Sequence, residues 1–119
     1  MTHSDRVDPV VSNPGLYSVL FENDRVRVLE YRDVPGDESV QHDHPDSVMV
    51  TLSAFERTLS SNKRQVDVDL PAHTARWLGA QNHSGRNTGR SDTHCIFVEL
   101  KEPPLVPRAE PAALGPVLG

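Results

Sequence analysis

His42, Asp43 and His44 set two imidazoles two residues apart. Side chains alternate between the faces of a strand, so on a strand both rings point the same way and one ion can take a nitrogen from each. A third imidazole, His83, lies far along the chain just after a Leu78-Gly79 turn signal, where a distant strand could carry its ring to the pair. Three neutral nitrogens suit a divalent transition ion such as Fe, Zn, Mn, Ni or Cu, and they leave coordination positions open for a small molecule.

The remaining chemistry-bearing residues have weaker patterns. His94 begins a late strand and, facing inward, would be a candidate for proton transfer. His73 lies in a Pro-Ala-His-Thr turn and is expected in solvent, and His3 falls in an N-terminal arm with no role assigned to it. Gln41 has the wrong parity to join the pair. Of Arg76 and Trp77 one must point inward by alternation, either as a cation for a carboxylate or phosphate or as an apolar wall. Cys95, between Thr93-His94 and Ile96-Phe97, reads as a buried, inert thiol, and Arg86 as a surface cation.

The elements that must position these residues are strands. Val26 and Val28 alternate with Arg25 and Arg27; Val66, Val68 and Leu70 alternate with Asp67 and Asp69; and Thr93 to Leu100 sets Ile96, Val98 and Leu100 against Cys95, Phe97 and Glu99. Turn formers separate them at Asn23-Asp24, Pro35-Gly36-Asp37, Ser60 to Lys63, Leu78-Gly79 and Thr88-Gly89-Arg90. No long segment has a capped 3.6-residue period, so the chain is expected to be all-β, an antiparallel sandwich or barrel. Residues 1–14 read as a flexible arm, 15–101 as the folded domain, and 102–119 as a tail whose prolines at 103, 104, 107, 111 and 116 forbid a helix or central strand, while Leu105, Val106 and Leu114 could lay it across the barrel.

The bulk properties bound what this domain can be. The chain has 119 residues, enough for one modest core and one site. Its 12 Lys and Arg against 17 Asp and Glu give a net charge of -5, with the basic residues scattered singly, which argues against nucleic acid as a partner. No apolar run approaches the roughly 20 residues that span a bilayer, and the first residues are polar, without a basic start followed by an apolar stretch, so a soluble, unsecreted protein is expected. A single cysteine allows no intrachain disulfide and fits a reducing, cytoplasmic setting. Both ends carry apolar residues between prolines, and an open barrel has edges to cover, so a homodimer is expected.

With these residues in view, the chain resembles the cupin superfamily. The first motif of that family runs from a glycine across five residues to His-x-His, then to a glutamate, and Gly36, His42 and His44 match its start. The second ends in a histidine followed four positions on by an asparagine, met by His83 and Asn87. The stretches 21–28 and 97–101 look like the opening and closing strands of small bacterial single-domain cupins. Departures are specific. No carboxylate stands at Ser47, Val48 or Met49, where the glutamate is due; Ala72, Leu78 and Ala80 replace a glycine, a proline and a glycine of the second motif; and Phe55 or a neighbour replaces the closing glycine of the first.

The resemblance implies a double-stranded β-helix, or jelly-roll barrel, holding one divalent metal on His42, His44 and His83. Asp46, which shares their parity unless Pro45 bulges the strand, is the candidate to replace the missing glutamate. Without a charged ligand the ion keeps its double charge and is a stronger Lewis acid. A neutral triad resembles that of the thiol and diketone dioxygenases of this superfamily, so the expected function is metal-dependent action on a small organic molecule, an oxidoreductase of dioxygenase type, with Asp46 or His94 moving a proton. The alternatives are a non-oxidative lyase or isomerase and a non-catalytic barrel that binds a small ligand.

Overall fold

The computed structural model describes residues 6–103 and 113–118. Nine strands follow one helical turn: α1 (Pro9–Ser12), β1 (Tyr17–Glu22), β2 (Val26–Asp33), β3 (His42–His44), β4 (Ser47–Thr51), β5 (Phe55–Ser61), β6 (Arg64–Leu70), β7 (Ala75–Leu78), β8 (Gln81–Asn87) and β9 (Thr93–Leu100). Every ladder is antiparallel, and the strands form two sheets, β1-β2-β9-β4-β7 and β3-β8-β5-β6. This is the double-stranded β-helix expected from the sequence. Among the described residues no helix is long and apolar enough to cross a membrane.

The turns form where the sequence puts turn chemistry. Asn23 Oδ1 accepts from the backbone N–H groups of Arg25 and Val26, closing the β1–β2 hairpin. Asn62, at φ 55°, takes the left-handed position in the tight β5–β6 hairpin, a conformation asparagine tolerates. Gly36, at φ 92°, lets the chain fold back between β2 and β3, and the Gly36 and Asn87 backbones then tie this turn to the end of β8.

Alternation decides what faces the core. Leu29, Tyr31 and Asp33 of β2, Ser47, Met49 and Thr51 of β4, and Thr93, Cys95, Phe97 and Glu99 of β9 are all buried on one inner face. The β-branched residues Val28, Val48, Val50, Ile96 and Val98 pair on the outer face of the same sheet and are only half-buried. The core comprises Tyr17, Leu29, Tyr31, Met49, Phe55, Leu70, Leu78, Cys95 and Phe97. Burial pushes the Cys95 thiol up to about 12, consistent with an inert side chain.

The ends of the described chain return to the barrel. Residues 8–13, assigned to the arm by sequence, form one capped helical turn: Asp8 Oδ1 accepts from Val10 N–H and Pro9 opens the helix. At the other end Val117 bridges to Trp77 and Gly115 N–H donates to Gln81 Oε1. His3, Leu105, Val106 and the prolines at 104, 107 and 111 lie outside the described residues.

Candidate metal centre

Three histidines meet at one end of the barrel. β3 is only three residues long, and its pleat turns both His42 and His44 inward, where they are 1 % and 3 % exposed. β8 lies antiparallel beside it with His83 directly opposite His42. Ring centroids are 4.8, 4.9 and 5.0 Å apart, and one nitrogen from each ring falls within 4.8 Å of the others.

What stands behind each ring selects the nitrogen presented to the centre. His42 Nδ1 lies 2.7 Å from the carbonyl of Val40, and His83 Nδ1 lies 2.8 Å from Gln81 Oε1. Both partners accept only, so both Nδ1 atoms carry the proton and both Nε2 atoms offer lone pairs. The carboxylate of Glu99 stands behind His44, with Oε2 3.6 Å from Nδ1, and among the described residues these two buried atoms have no other partner. A carboxylate in this position favours the proton on Nδ1 of the third ring as well. Three Nε2 lone pairs converging with acceptors behind them form the donor set that a divalent ion needs.

Burial keeps the rings neutral. It holds the pKa of His42 below that of an ordinary histidine and that of His44 well below, and with the neighbouring rings it pushes His83 down to about 2. A protonated ring cannot bind a metal ion, so this environment favours the ligating form. Two residues not singled out by sequence complete the surroundings. The Tyr17 hydroxyl lies 3.2 Å from His42 Nε2 and 3.3 Å from His44 Nε2, and burial raises its pKa well above the ordinary value, leaving it a neutral hydroxyl. Glu99 is 2 % exposed; burial raises its pKa while Arg27, bonded to Oε1 at 2.9 Å, opposes that shift. Arg27 in turn forms a two-pronged pair with Asp8, the helix cap.

The other sequence candidates lie elsewhere. His94 does not face the interior: Thr93 and Cys95 do, so its ring emerges on the opposite face and meets Glu30 Oε2 at 2.8 Å. Asp46 is not among the converging ligand atoms. Pro45 ends β3, β4 restarts in the opposite parity at Ser47, and Asp46 Oδ1 accepts from Ala80 N–H. Ser47 and Met49, at the position of the absent family glutamate, face inward without a carboxylate. His73 is exposed at φ 61° in its turn, Arg86 and Gln41 are exposed, and Gln41 bonds Asn82.

Beside the triad is a cavity of about 40 Å³, lined by Tyr17, Met49, Phe55, Leu78, Phe97 and Pro116 among others. Neither Arg76 nor Trp77 lines it; the cavity's cation is Arg57, 8 % exposed, held by Asp33 at 2.8 Å. Sequence offered no sign of this beyond an inward parity in β5. Asn87, matched to the second motif, is structural: its Nδ2 donates to Asp33 Oδ1 and to the carbonyl of Ser91, and its Oδ1 accepts from Gly89 N–H.

No protein-family model matches the chain, and no curated protein does. Solved structures do. A cupin domain from Bordetella pertussis Tohama I is 25% identical, with a TM-score of 0.68 over 73% of this chain and 93% of that one. The cupin_2 domain of an XRE-family transcriptional regulator from Enterobacter cloacae is 16% identical, with a TM-score of 0.55 over 75% and 97%. A predicted oxalate decarboxylase from Thermotoga maritima is 19% identical, with a TM-score of 0.51 over 71% and 78%.

Proposed function

Because the chain belongs to the cupin superfamily, we propose that it is a metal-dependent enzyme acting on a small organic molecule, with one divalent ion on Nε2 of His42, His44 and His83. The observation that carries this reading is the set of three buried rings whose rear nitrogens face Val40 O, Glu99 and Gln81 Oε1. A bound ion would supply Lewis acidity and open positions for a substrate, or, as iron, the redox chemistry of a dioxygenase.

The chain's own residues take the remaining parts. Val40 O, Glu99 and Gln81 orient the rings. Tyr17, rather than Asp46 or His94, is the group able to give or take a hydrogen bond beside the ring nitrogens, and its neutral hydroxyl suits a donor to a developing oxyanion. The apolar walls exclude water. Glu99 supplies, from behind His44, a negative charge that the family pattern places among the ligands themselves.

The test is elemental analysis of untagged protein purified without chelators, alongside His83→Ala. About one equivalent of metal in the wild type, lost in a folded His83→Ala variant, is the expected result, followed by oxygen uptake assays if the metal is iron. Absence of metal after reconstitution, with the barrel intact, would replace this reading with a small-ligand-binding barrel.

Glu99→Gln keeps the size of the side chain and removes its charge. The buried His44 Nδ1–H then faces a neutral amide, and Arg27 loses a carboxylate. Metal affinity, measured by competition with a chromogenic chelator, is expected to fall by about 10- to 100-fold, and an unchanged affinity would remove Glu99 from the site.

A further inference from the structure

Residues 113–118 touch both sheets. Val117 pairs with Trp77 on β7, the Trp77 N–H donating to Val117 O at 2.9 Å and the Val117 N–H to Trp77 O at 2.8 Å. Gly115 packs over the other sheet, where a Cβ would lie 3.1 Å from Leu59 Cδ1 and 3.7 Å from Val66 Cγ1 and Val68 Cγ2. Its φ of 86° is a second reason for glycine there. Pro116, between these two anchors, lines the cavity together with His42 and His83.

Gln81 joins this segment to the metal centre. Its Oε1 lies 2.8 Å from His83 Nδ1 and accepts from Gly115 N–H at 2.9 Å, and its Nε2 donates to Gly79 O at 2.9 Å and to Ala113 O at 3.1 Å. A carboxamide offers two lone pairs at oxygen and two protons at nitrogen, so all four positions are taken. The partners also tell its oxygen from its nitrogen: Gly115 N–H calls for an acceptor, and the two carbonyls call for donors. Two of those three partners belong to the C-terminal segment. They hold the acceptor end of the carboxamide on His83 Nδ1, and a neutral ring with its proton on Nδ1 keeps its lone pair on Nε2. A reversed carboxamide would present N–H to Nδ1, move the ring proton to Nε2 and take the lone pair away from the centre.

We propose that residues 113–117 are a strap that sets the tautomer of His83 through Gln81, so that strap docking and metal binding favour each other. With the strap released, Gly79 O alone opposes rotation of the carboxamide. The coupling is reciprocal: a strap that favours the ligating tautomer is itself held down by whatever binds that tautomer. The inference rests on the metal-site reading for the use of the Nε2 lone pair, but not for the tautomer itself.

The experiment reads the imidazole nitrogen shifts of isotopically labelled, chelator-stripped protein at about pH 8, where an ordinary histidine is neutral. His83, assigned from its absence in His83→Ala, is expected as the Nδ1–H tautomer in wild type. Gly115→Pro has no N–H to give Gln81 and cannot adopt the positive φ. In it the His83 signals are expected to become those of a mixture of tautomers, and zinc release to a chromogenic chelator to become about tenfold faster. Gln81→Glu in the Gly115→Pro chain is the rescue: a carboxylate has no donor end, so the Nδ1–H tautomer is expected to return, which general damage to the barrel would not allow. Val117→Pro deletes the bond to Trp77 and decides if melting curves show that Gly115→Pro does not fold. An Nε2–H tautomer in wild type, a tautomer unchanged in the proline variants, or a mixture that Gln81→Glu leaves uncorrected overturns the inference. Exchange of the Val117 amide hydrogen is expected to slow by about tenfold when zinc is bound, and equal exchange in stripped and loaded protein overturns the coupling. Wild type that takes up no metal overturns the reading of the site instead, and the tautomers of stripped protein still decide the strap.

Discussion

Chelator-stripped protein is expected to lose on the order of 2 kcal/mol of folding stability between pH 7 and pH 5.5. In the folded state burial keeps His42 and His44 below the ordinary histidine value and His83 near 2, whereas in the unfolded chain all three titrate near 6.5. Above pH 7 neither state holds these protons, and the rings contribute no pH dependence. Below 6.5 the unfolded chain gains protons that folded His83 and His44 refuse and that folded His42 takes up less readily, and each refused proton costs the fold up to about 1.4 kcal/mol per pH unit. Glu99 acts with the opposite sign. Its folded pKa is raised, so it contributes stability at low pH that is lost as pH rises through that value, an offset of one carboxyl against three imidazoles. Asp8 and Asp33 have lowered pKa values and act in the window below about 4. Denaturant midpoints at pH 8, 7, 6 and 5.5 in chelator measure the slope, and His83→Ala should make it clearly shallower. A flat midpoint across this range would mean that the folded protein can charge these rings, which is incompatible with three buried, preformed ligands.

The parts of this centre that were legible in the sequence are those fixed by a period of two. His42 and His44 had to share a face on any strand, and the turn chemistry around Pro35-Gly36 and Leu78-Gly79 bounded the strands that carry them and His83. Legibility failed where alternation carried no contrast. In β9 both faces are apolar, Cys95 and Phe97 against Ile96 and Val98, so parity could not say which pointed inward. One undecided face has two consequences: the sequence leaves an inward His94 open, and it does not mark Glu99 as lying on the inner face. The clue to Glu99 is a cross-strand one, since Arg27 is its partner in the β2–β9 register. A buried charge becomes credible only when the opposite charge is placed beside it, and register is not readable from one strand. Asp46 failed for a different reason. Pro45 interrupts the pleat between β3 and β4, and counting parity through an interruption carries a side chain to the wrong face. Arg57 looked like any polar residue of a half-exposed strand until Asp33, Tyr31 and Thr93 were brought around it from β2 and β9.

That buried cluster is expected to give the largest stability loss of any single side chain in the barrel. The Asp33 carboxylate is fully buried: Oδ2 accepts from the Tyr31 hydroxyl at 2.5 Å and from Arg57 Nη1 at 2.8 Å, and Oδ1 accepts from Asn87 Nδ2 at 3.0 Å and Thr93 N–H at 3.3 Å. Burial raises its pKa, but these donors and the guanidinium outweigh that and hold the carboxyl below its usual range. Asp33→Ala leaves a buried guanidinium without its counter-charge and strands three further donors, at a cost of about 3–5 kcal/mol, a large part of the roughly 5–15 kcal/mol available to a domain of this kind. The double variant Asp33→Ala/Arg57→Met removes the orphaned charge as well. If the penalty of the single variant is the unpaired cation, the double variant should recover much of the loss despite carrying one more substitution, because an apolar pair can replace a buried ion pair at little net cost. Urea unfolding of the wild type, the two single variants and the double variant forms a complete cycle. A double variant less stable than Asp33→Ala would show that the penalty comes from lost packing and the severed link between β2, β5 and β8, and that Arg57 holds its place without needing its counter-ion.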